Sequence, residues 1–378
     1  MKIYMKKMKK MRYSDRSEYN GFLTKKIPDD ELKLMYKDYD SLGFGKIYTD
    51  YMFTMKWTKE KGWEKGELKK YEKMSFDPAS VVIQYSQEVF EGMKAYYSED
   101  GRVLLFRPFD NAKRMYKSAE RLCMTPVPED VFVEAVKELV KIDKRWLPKE
   151  KGTSLYIRPT LMGTGVALGV HPSPEYNFCI FITAVGTYFS SGFNTVSLYV
   201  EGKLVRAVVG GVGDAKTGGN YAASLLAGLK AEKEGFSQVL WLDAKENKYI
   251  EEAGSMNIFF VYGNKLVTPK LTGSILPGIT RDSVIKLAAH LGYEVEERNI
   301  SIDEVVKGIK DKEITEMFGT GTAAVIAPVG GLCYKGETVY AGDNKVGKIT
   351  EELYNKLVNI QYGEDEDIFG WVETVDTI

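Results

Sequence analysis

Lys216 is set in a loop that carries five glycines, Gly210-Gly211-Val212-Gly213-Asp214-Ala215-Lys216-Thr217-Gly218-Gly219-Asn220-Tyr221. Glycine at this density lets a backbone approach a ligand closely, so the segment reads either as an amine presented to a cofactor or substrate or as a solvated lysine on a flexible turn. Gly210-x4-Ala215-Lys216-Thr217 misses the phosphate-binding pattern GxxxxGK[ST] by one residue, and Val239-Leu240-Trp241-Leu242-Asp243 imitates the acidic strand that accompanies that pattern. Ala215 replaces the second glycine, and Gly218-Gly219 is expected to interrupt the helix that would have to start there, which counts against nucleotide binding. Gly319-Thr320-Gly321-Thr322-Ala323-Ala324 fits GxGxx[GA], but Pro328 cuts the helix it should open; its backbone can still hold an anion. A third segment runs Glu252-Ala253-Gly254-Ser255-Met256-Asn257-Ile258-Phe259, then Leu266-Val267-Thr268, then Leu276-Pro277-Gly278-Ile279-Thr280-Arg281. Its carboxylate beside small residues would, taken alone, be an ordinary turn.

Composition bounds the chemistry further. Lys and Arg number 52 against 53 Asp and Glu, a net charge of −1, which leaves no basic footprint for nucleic acid. The two histidines, His171 and His290, lie far apart, and the three cysteines show no CxxC spacing, so no metal site and no disulfide framework is expected. No apolar run approaches the roughly 18 residues of a membrane span, and Met1 to Arg12 is Lys- and Met-rich without an apolar centre. A cytoplasmic protein in a reducing compartment is expected. At 378 residues with 44% apolar and 28% charged residues, the chain is globular and divides into two domains.

The elements that must position these residues follow from periodicity. Residues 1–60 read as an N-terminal extension, polar at first, with a helix start at Pro28-Asp29-Asp30. Val81-Val82-Ile83 and Val103-Leu104-Leu105-Phe106 read as antiparallel strands around a turn at Ser98-Glu99-Asp100-Gly101. Apolar spacings of three and four predict helices over 110–124 and 131–146, and strands are expected at 154–157 and 177–184. Gly186-Thr187-Tyr188-Phe189-Ser190-Ser191-Gly192 then separates two strand patterns and marks a boundary, giving 61–187 and 195–378 as domains joined by 188–194. Beyond it, strands are expected at 195–200, 207–209, 238–242, 248–251, 257–262 and 265–268, and helices at 220–234, 280–291 and 302–310. Strands and helices mix without βαβ alternation, so the class is α+β.

Taken together in order, the elements of the third segment resemble the signature of the class IV pyridoxal-phosphate aminotransferases: Glu-x-small-x2-Asn-apolar-aromatic, apolar-x-Thr, then apolar-x-Gly-apolar-x-Lys/Arg, ending here at Arg281. Within that class the chain is similar to the branched-chain aminotransferases from about Gln84 to Gly363. The stretches that carry the likeness are Phe90-Glu91-Gly92-Met93-Lys94-Ala95, Leu105-Phe106-Arg107-Pro108, Ser154-Leu155-Tyr156-Ile157-Arg158-Pro159-Thr160, Tyr188-Phe189-Ser190-Ser191-Gly192, the Lys216 loop and Glu316-Met317-Phe318-Gly319-Thr320.

The resemblance implies a two-domain fold-type IV enzyme, a small α/β domain and a larger pseudo-barrel domain with pyridoxal 5′-phosphate between them. It implies transamination of Leu, Ile or Val with 2-oxoglutarate by a homodimer. Lys216 would be the catalytic amine, Glu252 the partner of the pyridine nitrogen, and Tyr221 the partner of the ring oxygen. Arg114, Ile279, Thr280 and Thr322 would hold the phosphate. Phe90, Tyr156 and Tyr188 would wall the substrate, Ser255 and Ala323 would lie near its α-carboxylate, and Arg158 would take the second carboxylate of glutamate. Tyr85, Leu168 and Val170 would reach across a dimer interface. D-amino-acid transaminases and aminodeoxychorismate lyases share the lysine and glutamate positions, and a nucleotide-binding protein or a catalytically silent oligomer is the rival from outside the class.

Overall fold

Alternating apolar runs become the strands of two sheets in the computed structural model, which describes residues 21–39, 42–187 and 192–377. The first sheet has the strand order Leu23–Thr24, Glu67–Lys70, Ile47–Thr58, Glu175–Val185, Ser154–Gly163, Met93–Tyr97, Arg102–Phe106 and Val372–Thr377, with Glu88–Phe90 paired to Ser154–Gly163. It is antiparallel apart from its first pair. The second sheet, Ile250–Ala253, Gln238–Leu242, Val196–Glu201, Val325–Tyr334, Glu316–Gly321, Asn257–Tyr262, Lys265–Pro269 and Glu294–Arg298, mixes parallel and antiparallel pairs. The change from one sheet to the other falls between Val185 and Val196.

Each sheet buries its own apolar face. Helices Pro108–Arg121 and Glu129–Ile142 set Ala112, Met115, Phe132, Val136 and Leu139 against Ile157, Phe178 and Ile180. Helix Ile302–Lys310, whose Ser301 hydroxyl accepts from the Glu304 amide, sets Ile302, Val305 and Ile309 against Ile258 and Phe260. A third cluster joins the two sheets: Tyr96 and Phe106 meet Phe259, Phe318, Val284, Leu287, Leu357 and Trp371. This shared cluster fixes the sheets relative to one another, and the Lys216 loop meets the first sheet at strand Glu88–Phe90.

Several expectations change. Val81–Tyr85 is a one-and-a-half-turn helix, not a strand: the Val81 amide donates to the Gly165 carbonyl and those of Ile83 and Gln84 to Ser80, contacts that outweigh the small helix penalty of β-branched residues. Ala207 to Val209 form no strand; the segment turns from Arg206 into the glycine loop. Gly218-Gly219 do not interrupt a helix but begin one, Gly218–Lys233. Pro28-Asp29-Asp30 opens only a single 3₁₀ turn. Ile47–Thr58, inside the stretch assigned to an N-terminal extension, has strand neighbours on both sides, and Val372–Thr377, assigned with the second half, closes the edge of the first sheet.

Candidate active site

Lys216 is contributed by the second half of the chain, two residues before helix Gly218–Lys233. Its amide donates to Ser118 Oγ at 3.0 Å and its carbonyl accepts from the Phe90 amide at 3.0 Å, so both backbone groups are held by the first half. Nζ lies 4.9 Å from the centroid of the Phe90 ring and donates to Tyr221 Oη at 2.9 Å. Burial, reinforced by the positive charge of Arg114, pushes the amine down to about 8 from its ordinary 10.5. Near neutrality the neutral, nucleophilic form is therefore populated far above its share in water. The Tyr221 hydroxyl moves the other way, up to about 12 by burial, and stays protonated. Asn220 ties the loop to its helix, its Nδ2 donating to the carbonyls of Val212 at 2.8 Å and Ala215 at 2.9 Å.

Glu252 borders the same cavity as Tyr221, Ser255, Gly213, Asn220 and Leu276. Only 3% exposed, it accepts from the Leu276 amide at 2.7 Å and lies 3.1 Å from Arg206 Nε. That contact is an ion pair without hydrogen-bond alignment, because Arg206 Nε donates to no acceptor among the described residues. Burial outweighs Arg206 and the amide and lifts the carboxyl to about 7. Arg206 also donates to the carbonyls of Gly213, at 3.2 Å, and Ser274, and so braces the Lys216 loop against the loop that follows Pro269.

Arg114, which as an isolated helical residue would face solvent, is 8% exposed and forms a bidentate pair with Glu91, Nε to Oε1 at 2.7 Å and Nη2 to Oε2 at 2.8 Å. Its Nη1 donates to the Pro277 carbonyl at 3.2 Å, so three of five N–H donors are spent. Thr322, in the turn between Glu316–Gly321 and Val325–Tyr334, donates to the Gly92 carbonyl at 3.2 Å. Ile279 and Thr280 are the first residues of helix Ile279–His290, immediately beyond Pro277, and their amides lie at its positive end. Gly278 is required there, since a Cβ would come within 2.0 Å of Asn257 Oδ1.

On the substrate side, Arg158 stacks over Phe90 at 4.8 Å and donates to Tyr156 Oη at 3.0 Å, while its buried Nε has no acceptor among the described residues. Ala323 presents its carbonyl to Lys94 Nζ at 2.7 Å, and Ser255 is exposed at the cavity edge. Tyr85 lies outside this set of contacts: it is 41% exposed and its hydroxyl donates to the Leu168 carbonyl. Leu168 and Val170 are 70% and 87% exposed. Tyr188 falls outside the described residues. Sequence reasoning gave no task to Glu91, Arg206, Lys94 or Phe44, whose ring packs edge-on against Tyr156 at 4.9 Å. Glu91 and Lys94 stand in the quoted Phe90 to Ala95 run, where a carboxylate and a cation among apolar residues were the available signal. Arg206 and Phe44 had none.

A half-buried lysine set against a tyrosine hydroxyl, with a buried carboxylate on the cavity that the tyrosine lines and a buried arginine near a helix N-terminus, is the donor set of an amine-carbonyl catalyst. The model of the amino-transferase class IV family matches residues 88–332, and the chain belongs to that family. Among its relatives it is 51% identical over 89% of its length to branched-chain-amino-acid aminotransferase 2 of Bacillus subtilis (strain 168), covering 93% of that protein, and 50% identical over 93% of its length to branched-chain-amino-acid transaminase 1 of the same organism, covering 99%. The fold is similar to the branched-chain amino acid aminotransferase from Escherichia coli, with a TM-score of 0.70 at 31% identity over 87% of this chain and 99% of that one. It is similar also to a T.th. branched-chain amino acid aminotransferase solved with pyridoxamine 5′-phosphate, with a TM-score of 0.72 at 29% identity over 85% of this chain and 98% of that one.

In the cofactor-free protein, the rate at which Lys216 is modified by an amine reagent should rise with pH around a midpoint near 8, the value its burial imposes, and a midpoint near 10.5 would show the amine to be solvated. Gly213→Ala would place a Cβ 2.2 Å from the Ser274 carbonyl and 2.6 Å from Ala207 Cβ, where backbone cannot yield cheaply. It should lower unfolding free energy by about 1–3 kcal/mol, read from the urea midpoint.

Proposed function

We propose that this chain transfers the amino group of leucine, isoleucine or valine to 2-oxoglutarate, using pyridoxal 5′-phosphate held between Lys216, Glu252 and Arg114. The observation that carries the reading is the Lys216 amine, lowered to about 8 and hydrogen-bonded to Tyr221, whose ring lines a cavity together with Glu252. Relatives about half identical over most of the chain are named for this reaction, and one structural relative was solved with the aminated form of the cofactor.

The residues fit the cofactor. Glu252 is a buried carboxylate that lacks an aligned cationic donor, which a protonated ring nitrogen supplies. Arg114 keeps two N–H donors beyond those spent on Glu91 and Pro277, and with the Ile279 and Thr280 amides it suits a phosphate, to which the Thr322 hydroxyl adds a donor by turning away from the Gly92 carbonyl. When bound, pyridoxal phosphate supplies an aldehyde that captures amines and a ring that accepts the electron pair left when an α-proton departs. Lys216 Nζ is the amine of this chain and, once freed, the base that takes the substrate's α-proton and hands it on. Tyr221 Oη holds Nζ on the cavity side and, remaining protonated, donates to an oxygen within it. Phe90 and Tyr156 exclude water from the reacting carbon and receive an aliphatic side chain, while the unpartnered Arg158 Nε offers a site for the second carboxylate of 2-oxoglutarate. One site serves both half-reactions, so the kinetics are ping-pong.

The enzyme we propose is a cytoplasmic homodimer. Helix Gly218–Lys233 leaves Leu225, Leu226 and Leu229 64%, 55% and 55% exposed, an apolar face suited to a second copy, and Tyr85, Leu168 and Val170 then reach the partner's substrate. No helix among the described residues is long and apolar enough to cross a membrane.

Adding L-leucine to the purified protein should remove its long-wavelength cofactor absorbance, and 2-oxoglutarate should restore it; Lys216→Ala should abolish both changes and turnover, and wild-type turnover in that variant would sink the mechanism. Glu252→Gln should keep the cofactor and lose about 10²–10⁴ in rate; unchanged turnover would give the ring nitrogen another partner. The double variant Leu225→Glu/Leu229→Glu should sediment as a monomer of about half the wild-type mass, and a wild-type profile would place the interface elsewhere.

A further inference from the structure

Helix Gly218–Lys233 begins without a side-chain cap of its own. Thr217 stands at the N-cap with extended backbone, yet its hydroxyl caps nothing, because it donates to the Glu88 carbonyl at 2.7 Å. The cap comes from another element: Glu88 Oε1 accepts from the Gly218 amide at 2.6 Å. A carboxylate at this position gains both the hydrogen bond and the positive end of the helix dipole. It needs the glycine, since a Cβ on Gly218 would lie 2.3 Å from Glu88 Oε1.

The contacts form a short ladder between the halves of the chain. Strand Glu88–Phe90 meets residues 216–218 through three hydrogen bonds, from the Phe90 amide to Lys216, from Thr217 to Glu88, and from Gly218 to the Glu88 side chain. Lys216 stands at one end of this ladder and the helix start at the other. Tyr221, the hydroxyl that meets Nζ, is on the first turn of the same helix. A change in where the helix starts therefore displaces the amine and its hydroxyl partner together.

We infer that Glu88 is a positioning residue for Lys216, acting by capping the helix that the lysine precedes. The inference rests on the reading of Lys216 as the catalytic amine. Glu88 makes no hydrogen bond to Nζ; its carboxyl also feels the charge of Arg158, so its effect on Lys216 placement is read with leucine and kept apart from any change in the KM for 2-oxoglutarate. Placement matters steeply in such a site, where an error of about 1 Å can cost about a hundredfold in rate.

Four variants test it: Glu88→Gln, Glu88→Ala, Gly218→Ala and the double variant Glu88→Ala/Gly218→Ala. Glu88→Ala should lower kcat for leucine with saturating 2-oxoglutarate by about tenfold or more, with the KM for leucine within about threefold, and Glu88→Gln, which keeps an acceptor, should recover most of the loss. In cofactor-free protein the Lys216 titration midpoint should rise toward the ordinary lysine value in Glu88→Ala, as the loosened loop admits water, and stay near 8 in Glu88→Gln. Gly218→Ala should be impaired alone but add nothing to Glu88→Ala, because the oxygen its Cβ would strike is gone. A wild-type kcat and midpoint in Glu88→Ala, or additive losses in the double variant, would overturn the assignment. So would a Glu88→Gln variant as inactive as Glu88→Ala with an unmoved midpoint, which would make the carboxyl a proton carrier. If the wild-type chain itself fails to turn over leucine, the proposed reaction falls, while the Lys216 midpoint in the four variants still decides what Glu88 does.

Discussion

The buried pair of Arg114 and Glu91 is the contact on which the arrangement turns. Four segments end on it: helix Pro108–Arg121 through Arg114, the turn after Glu88–Phe90 through Glu91, the loop before helix Ile279–His290 through the Pro277 carbonyl, and, through the neighbouring Gly92, the turn that carries Thr322. Removing two such charges from water costs several kcal/mol each, and only good geometry with further hydrogen bonds offsets it. Here the geometry is bidentate and Asn111 adds a donor to Glu91 at 2.8 Å. The pair makes poor sense as a stabiliser compared with an apolar substitute. It makes good sense as a device that fixes a guanidinium, with donors to spare, in a place where water cannot screen it.

The same dryness acts on two titrating groups of the site, Lys216 and Glu252, from opposite sides. Lys216 is drawn down to about 8 and Glu252 up to about 7, each chiefly by burial. Their neutral forms are thus close in free energy to their charged forms near physiological pH. A modest change of neighbouring charge can shift a proton on or off either one. This is the condition general acid–base catalysis needs, and burial brings both groups to it from pKa values that start about six units apart in water.

Legibility in the sequence followed the range of the interactions involved. The Lys216 loop, the Glu252 segment and helices such as Ile302–Lys310, with its Ser301 cap, are set by residues close in the chain and could be read from spacing. Lys216, Tyr221, Phe90, Tyr156 and Arg158 do gather, and the resemblance to the branched-chain aminotransferases points at them, although its signature segment, Glu252 to Arg281, contains none of the five. The partners that hold them were not legible: Glu91 and Arg114 are 23 residues apart, Lys94 and Ala323 are 229 apart, and no local pattern announces either pairing. Misreadings have the same origin. Gly218-Gly219 looked like helix breakers because their cap is supplied from Glu88, and Val81–Tyr85 looked like a strand because the contacts that fold it come from Ser80 and Gly165.

Strand Val372–Thr377 runs antiparallel to Arg102–Phe106, with the Arg107 amide donating to the Trp371 carbonyl at 2.7 Å and the Arg107 guanidinium 5.2 Å above the Trp371 ring. On the ribosome, then, the first sheet must wait. Its Arg102–Phe106 edge is made early and stays open, a row of unpaired amides and carbonyls, until Val372–Thr377 has been synthesised. At about 5–20 residues per second that interval lasts on the order of tens of seconds, long enough for a chaperone to occupy the edge or for two nascent chains to pair there. Val372–Thr377 thus acts as the latch of the nascent chain, and its removal would leave the earliest sheet permanently sticky.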